Sequence, residues 1–168
     1  VYLEPIALYH RRDLHDGDGG WLAPYVPPEH WAYDETAQLG RLLTIGDGKD
    51  VLIVTFGNGV PMSLQATAQL AAEGIRTTVV DLQWLSPLPR EELVRIASTF
   101  QRVLVVDETR ESGGVSESVV TALVDGDHDG VIRRVTSADS FIPLGPAADH
   151  VLLSEADIVR AVRAMLSA

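Results

Sequence analysis

Apolar and polar positions along the chain switch repeatedly between a strand pattern and a helix pattern. Val51–Phe56 is a short unbroken apolar run, the mark of a strand covered on both faces. Gly57-Asn58-Gly59 interrupts it. Val60, Leu64, Ala68 and Ala71 then recur at three- and four-residue steps, with Gln65, Gln69 and Glu73 between them. This spacing predicts a helix with one buried face, capped by Asn58, carrying Pro61 in its first turn and ending at Gly74. Thr77–Asp81 is a second β-branched run. Strand, helix and strand at this spacing predict a parallel βαβ unit.

The later chain repeats the alternation. Ser86 or Pro89 opens a predicted helix with Glu91 and Glu92 near its positive end and Leu93, Ile96, Ala97 and Phe100 as its stripe. Val103–Val106 is a third apolar strand, closed by Asp107-Glu108. Gly113-Gly114 precede a helix over Val115–Val124, with Val119, Ala122 and Leu123 inward. Val131–Val135 is a strand near an edge, because Arg133 and Arg134 interrupt it. Ser154-x-x-Asp157 reads as a capping-box variant before a last helix with Ile158, Ala161, Val162 and Met165 on one face.

Gly40–Ile45 reads as an edge strand, turned by Gly46-Asp47-Gly48. Four or five strands alternating with four helices predict the α/β class, with a Rossmann-like, three-layer, open and mostly parallel sheet. Ligands of such sheets sit beyond the carboxyl ends of the strands. Those ends carry Gly57-Asn58-Gly59, Asp81, Asp107-Glu108 and Asp139.

Residues 1–48 lack a sustained period. The stretch Trp21–Tyr33 mixes prolines with aromatics. It reads as a connector lying across a surface, pinned by Tyr2, Trp21, Tyr25, Trp31 and Tyr33. Val1-Tyr2-Leu3 reads as the tail of a strand from an upstream domain. The expectation is therefore a C-terminal piece of a longer protein, with a connector over 1–48 and a folded domain over 49–168.

Composition narrows the function. The 168 residues are 46% hydrophobic and 22% charged, with a formal net charge of −11. An acidic surface repels nucleic acid and anionic membranes and admits a basic protein partner. There is no cysteine, which excludes disulfides, thiolate metal sites and cysteine nucleophiles. No apolar run is long enough to span a bilayer and no signal peptide is visible, so the cytoplasm is the default compartment.

The candidate motifs are incomplete. Gly57-x-Gly59 resembles half of a dinucleotide fingerprint, but Met62 stands where the third glycine belongs. Asp125-x-Asp127-x-Asp129-Gly130 opens like a calcium loop, but Thr136 replaces the bidentate glutamate. His10 and His15 with Asp13, Asp16 and Asp18 fit no standard metal spacing. His30, His128 and His150 accompany no nucleophile elbow. Asp107, Glu108 and Glu111 share one loop, and paired carboxylates need a shared cleft.

Several stretches in order carry a resemblance. They are Leu3-Glu4-Pro5-x-x-Leu8-Tyr9, Lys49-Asp50-Val51 through Gly57-Asn58-Gly59-Val60, Val80-Asp81-Leu82-x-x-Leu85-Ser86-Pro87-Leu88, and Val105-Val106-Asp107-Glu108 with Gly113-Gly114. Asp139-Ser140-x-Ile142-Pro143 follows them. Together they resemble the C-terminal, transketolase C-terminal-like domain of the beta subunit of thiamine-diphosphate-dependent 2-oxo acid dehydrogenases. Asp107-Glu108-Thr109-Arg110 and Phe141-Ile142-Pro143-Leu144 look closest to branched-chain-type or fused alpha–beta forms.

The resemblance implies a parent oxidoreductase that decarboxylates a 2-oxo acid and acylates lipoyl groups with thiamine diphosphate and magnesium. The cofactor-holding residues lie upstream of Val1 or in the alpha partner. This fragment alone is then expected to bind no cofactor, carry no catalytic residue and be inactive. Gly17-Asp18-Gly19 matches a diphosphate-domain motif in letters only, since no strand–helix context surrounds it.

Expected partners are the alpha subunit or region, a second beta copy in a homo-oligomer, and the basic peripheral subunit-binding domain of the acyltransferase. Asp125, Asp127 and Asp129, with the C-terminal carboxylate of Ala168, are the docking candidates. Two alternatives stay open. One is the C-terminal domain of a transketolase or deoxyxylulose-phosphate synthase, which would want a basic cluster for a sugar phosphate. The other is a stand-alone nucleotide-binding regulator.

Overall fold

A computed structural model describes residues 1–30 and 40–167. The sheet contains β1 (Leu43–Ile45), β2 (Val51–Thr55), β3 (Thr77–Asp81), β4 (Arg102–Arg110) and β5 (Val131–Ser137). The helices are α1 (Gly59–Ala72), α2 (Arg90–Ala97), α3 (Val115–Asp125) and α4 (Glu155–Leu166). The strand order is β1-β3-β2-β4-β5. Four strands are parallel, and β1 pairs antiparallel with β3 at one edge.

Strand side chains alternate between two cores. Val51, Ile53, Val79, Leu104 and Val106 pack with Ala66 and Leu70 of α1 and Ile158, Val159, Val162 and Met165 of α4. Leu52, Val54, Val80, Val103 and Val105 pack with Leu93 and Ala97 of α2 and Val119, Ala122 and Leu123 of α3. The result is a helix–sheet–helix sandwich. Covering both faces explains why β2 is apolar at nearly every position. Each fully buried Val, Leu or Ile contributes about 1.5–3 kcal/mol before the cost of ordering the chain.

Helix ends follow local chemistry. Gly74, at φ +82°, closes α1, with its N–H donating to Ala71 O at 3.0 Å and the Ile75 N–H to Leu70 O at 3.0 Å. This is a Schellman motif. Ser154 and Asp157 form the expected reciprocal box at the start of α4.

Three sequence expectations are corrected. The inward stripe of α1 is Gly59, Ser63, Ala66 and Leu70 together with Val60, while Ala68 and Ala71 face solvent. Small residues approach the sheet closely here, and an apolar pattern does not register them. Asn58 does not cap α1 with its side chain. Its backbone is already helical at φ −64°, ψ −23°, whereas a capping residue needs an extended backbone. β4 runs on to Arg110, past the Asp107-Glu108 pair expected to close it, because β5 continues to pair with it as far as Arg110.

Candidate functional site

The chain runs from β2 outward to β3, then returns past β2 to β4. The reversal lies between β2 and β4, where sheets of this topology open a ligand crevice. In this protein its floor is closed from within. Thr55 Oγ1 donates to Val106 O at 2.9 Å, joining the two strands across the divide. A Cβ built on Gly59 would lie 2.0 Å from Thr55 Oγ1. The second glycine of the half-fingerprint is therefore required by the chain's own threonine. Met62 packs against the α1–α4 core where a third glycine would have to be. These residues do not build a pyrophosphate cradle.

The remaining strand ends are rich in carboxylates that already have tasks. Asp107 is fully buried; it accepts the Thr109 N–H at 2.9 Å, the Thr109 hydroxyl at 2.7 Å and the Ser116 N–H at 2.8 Å. It thereby fixes the Gly113-Gly114 loop onto the start of α3. Asp139 accepts the Ser112 N–H at 2.8 Å and the Ser112 hydroxyl, and these donors hold its carboxyl below the usual range. Asp81 is pushed up by burial, opposed by the Gln83 N–H at 3.2 Å.

The arginines nearby are also engaged. Arg110 Nε donates to Ser112 O at 2.9 Å. Arg134 Nη1 donates to Glu111 O at 3.0 Å and to Ser116 Oγ at 3.3 Å. Asp107, Glu108 and Glu111 do not form a carboxylate pair suited to acid–base work, since Asp107 is committed to the backbone.

The acidic turn lies at the opposite end of the sheet. Asp125 ends α3 and pairs with Arg90 at 3.2 Å, an exposed contact worth little. Asp127, at φ +55°, is the left-handed residue that closes α3: its N–H reaches Val124 O at 3.1 Å, and the His128 N–H reaches Leu123 O at 3.0 Å. Asp129 is exposed. The three carboxylates sit at the negative end of a helix dipole, which raises the cost of holding them together. The chain continues into β5, a strand, so the helix that would follow a calcium loop is absent here. Ala168 lies outside the described residues.

Near the N-terminus, Asp13 accepts the Gly19 N–H at 2.6 Å, and Asp18 accepts the N–H groups of Leu14, His15 and Gly20. Both carboxylates are spent on folding the loop. Gly17-Asp18-Gly19 is thus a turn and does not fit a magnesium–diphosphate site. Among the described residues no group of three or more His, Cys, Asp or Glu is placed to hold a metal ion. Arg11, Asp13, His15 and Asp16 line an open, mixed-charge hollow of about 550 Å³ against Gln65.

Of the proposed connector anchors, Trp21 is half-buried beneath the Arg11 guanidinium, 5.9 Å from its ring centre. Tyr2 and Tyr25 point into solvent, and Trp31 and Tyr33 lie outside the described residues. A second exposed apolar group follows β5. Phe141 and Leu144 are 99% and 96% exposed, with Ile142 between them.

No described helix is long and apolar enough to cross a membrane. The structural roles of Thr55 and Asp127 do not show in the apolar pattern of the sequence. The Thr55–Gly59 spacing was a usable signal for the first, and nothing local marked the second.

Known proteins place this architecture. The chain is 32% identical over 134 residues to 1-deoxy-D-xylulose-5-phosphate synthase of Syntrophus aciditrophicus, covering 77% of this chain and 21% of that protein. It is 29% identical over 169 residues to the pyruvate dehydrogenase E1 component subunit beta of Bacillus subtilis, covering 99% and 48%. The chain thus spans half or less of these relatives.

A solved split-gene transketolase, an inactive beta4 tetramer, superposes with TM-score 0.69 at 32% identity over 76% of this chain and 43% of its own. A 2-oxoglutarate:ferredoxin oxidoreductase from Magnetococcus marinus, at 18% identity and TM-score 0.57, covering 78% of this chain and 20% of its own, shares the fold. The family model for the transketolase C-terminal domain matches residues 40–158. That span takes in the whole sheet, from β1 to the opening of α4, and the chain belongs to the transketolase C-terminal domain family.

Proposed function

We propose that this chain is the assembly-bearing C-terminal part of the dehydrogenase component of a 2-oxo acid dehydrogenase complex, with residues 1–48 as the connector from an upstream pyrimidine-binding domain. The parent enzyme decarboxylates a 2-oxo acid and passes the acyl group to lipoyl carriers. The observation that carries the reading is the state of the strand ends. Asp81, Asp107, Glu108 and Asp139 gather there, and Arg110 and Arg134 are bonded to the chain itself. That arrangement supports a role with no sugar phosphate to hold at this end.

In this proposal thiamine diphosphate and magnesium belong to the parent and not to this fragment. Partners are the alpha subunit or region, a second copy of the chain, and a basic acyltransferase segment docking at Asp125, Asp127 and Asp129, with the Ala168 carboxylate as helper. The compartment is the cytoplasm.

A second reading, the C-terminal domain of a deoxyxylulose-phosphate synthase or transketolase, is favoured by the 32% identities to such proteins. One assay of the full-length parent separates the two. Acyl transfer to a lipoyl domain from pyruvate or a branched 2-oxo acid supports the first. Condensation of pyruvate with glyceraldehyde 3-phosphate supports the second and overturns the first. Calorimetry of this chain with thiamine diphosphate and magnesium should show no heat of binding.

A further inference from the structure

The connector enters the domain through a small closed turn. Tyr9 Oη donates to Glu4 Oε2 at 2.5 Å, bracketing a 3-10 turn over Ile6–Leu8 that starts from Pro5. The turn has two sides. Pro5 and Leu8 are half-buried, whereas Leu3 and Ile6 are exposed.

The Pro5 side meets the reversal point of the sheet. Gly57 follows β2 at φ +56°, a left-handed conformation suited to glycine, and it leaves an opening where a side chain would stand. From that Cβ position Glu108 Oε1 is 3.4 Å away and Pro5 Cγ is 3.7 Å away. Glu108 belongs to β4, so Pro5 and a carboxylate of β4 both border the space that the missing Gly57 side chain leaves after β2. The chain beyond the turn is held as well, since Gln65 Nε2 of α1 donates to Leu14 O at 2.7 Å.

We propose that residues 4–9 are a strap whose proline seats at Gly57, beside Glu108, so that the crevice left open to ligands in other doubly wound sheets is here the seat of this N-terminal strap. The strap thereby registers the incoming chain against the sheet at a single point. Release of Pro5 frees residues 1–13 without disturbing either core, because none of the core residues lies within that stretch. The inference holds whichever parent enzyme is correct.

The test uses the whole chain with Pro5→Asp, which puts a carboxylate at the apolar Gly57 seat with Glu108 nearby, and with Ile6→Ser on the outer side as control. Pro5→Asp should speed tryptic cleavage after Arg11 and Arg12 by about tenfold, as expected when a local contact rather than the global fold protects the site. It should also move the amide signals of Gly57 and Glu108, with an unchanged thermal midpoint. Ile6→Ser should change none of these. Pro5→Ala, which introduces no charge, should give a smaller effect of the same sign. Unchanged cleavage and amide signals in Pro5→Asp would overturn the proposal. So would an Ile6→Ser effect equal to that of Pro5→Asp.

Discussion

Asp107 accepts the Ser116 N–H at 2.8 Å, so the last fully buried residue of β4 is also the fastening of the first turn of α3. The same carboxylate holds Thr109. Removing it leaves buried donors without acceptors. Asp107→Ala should cost about 3 kcal/mol, from hydrogen bonds to a charged group lost inside the protein. The thermal midpoint should fall by about 6–12 °C in a chain of this size. Asp107→Asn, which keeps one acceptor oxygen, should cost less. Circular dichroism melts check both, and an unchanged midpoint in Asp107→Ala would mean that other contacts hold the loop.

Two carboxyls give stability slopes of opposite sign with pH. Glu92 is held below the usual range by the Arg41 side chain, assisted by the Leu42 N–H at 3.2 Å. Its contribution is present above the unfolded-state pKa and is lost as pH falls through the lower folded value. Glu92→Gln should therefore lower the midpoint at pH 7 and flatten the acid limb. Asp81 is raised by burial, so its contribution is present below the unfolded pKa and lost as pH rises through the folded one. Asp81→Asn should raise the midpoint at pH 7 and leave it unchanged in acid. Melts of the three proteins across pH 3–8 decide it, and a Glu92→Gln acid limb as steep as wild type would refute the first assignment.

The acidic turn combines a structural and a proposed docking role, and these can be separated. Asp127 occupies the left-handed position, so Asp127→Gly should stabilise the domain by about 1 kcal/mol by relieving backbone strain. Joint replacement of Asp125, Asp127 and Asp129 by asparagine keeps that backbone preference and removes the charge. In the proposed role it should slow association with an acyltransferase binding domain at low salt and flatten the salt dependence. Stopped-flow kinetics at two ionic strengths are the measurement, and identical rates would move the interface elsewhere.

Self-association should run through the exposed apolar groups. Phe141 and Leu144 leave almost their whole side chains in water, beyond what an isolated surface residue needs for any fold reason. Phe141→Ser with Leu144→Ser should shift sedimentation towards monomer with no loss of thermal stability. A wild-type chain that stays monomeric at high concentration would contradict the expectation.

Much of the architecture was legible because burial on both faces writes apolar runs into the strands. Val51–Phe56 and Val103–Val106 are legible as unbroken apolar runs. The edge position of β5 followed from Arg133 and Arg134. The face of α1 was not legible, because Gly59 and Ser63 are buried for their size, and hydrophobicity does not encode size. The strand ends are legible roughly as places, with β4 running on past Asp107-Glu108 to Arg110, but not as tasks. Asp107 looks the same in sequence whether it faces a substrate or a backbone amide, and only the return of the chain at Ser116 decides it. The connector was harder still, since Pro5 gains its role from Gly57, over fifty residues later in the chain.

The antiparallel direction of β1 gives the domain two poles. Because β1 runs against its neighbours, the incoming chain reaches the sheet at the carboxyl end of the parallel strands, where Pro5 also rests. The acidic turn, and the end of α4 where Arg102 Nε donates to Met165 O, lie at the other pole. A seven-residue strand such as β5 separates them by about 20 Å, at 3.3 Å per residue. A partner held at Asp125–Asp129, in the proposed role, would therefore sit at the pole opposite Pro5, and neither contact need give way for the other to form.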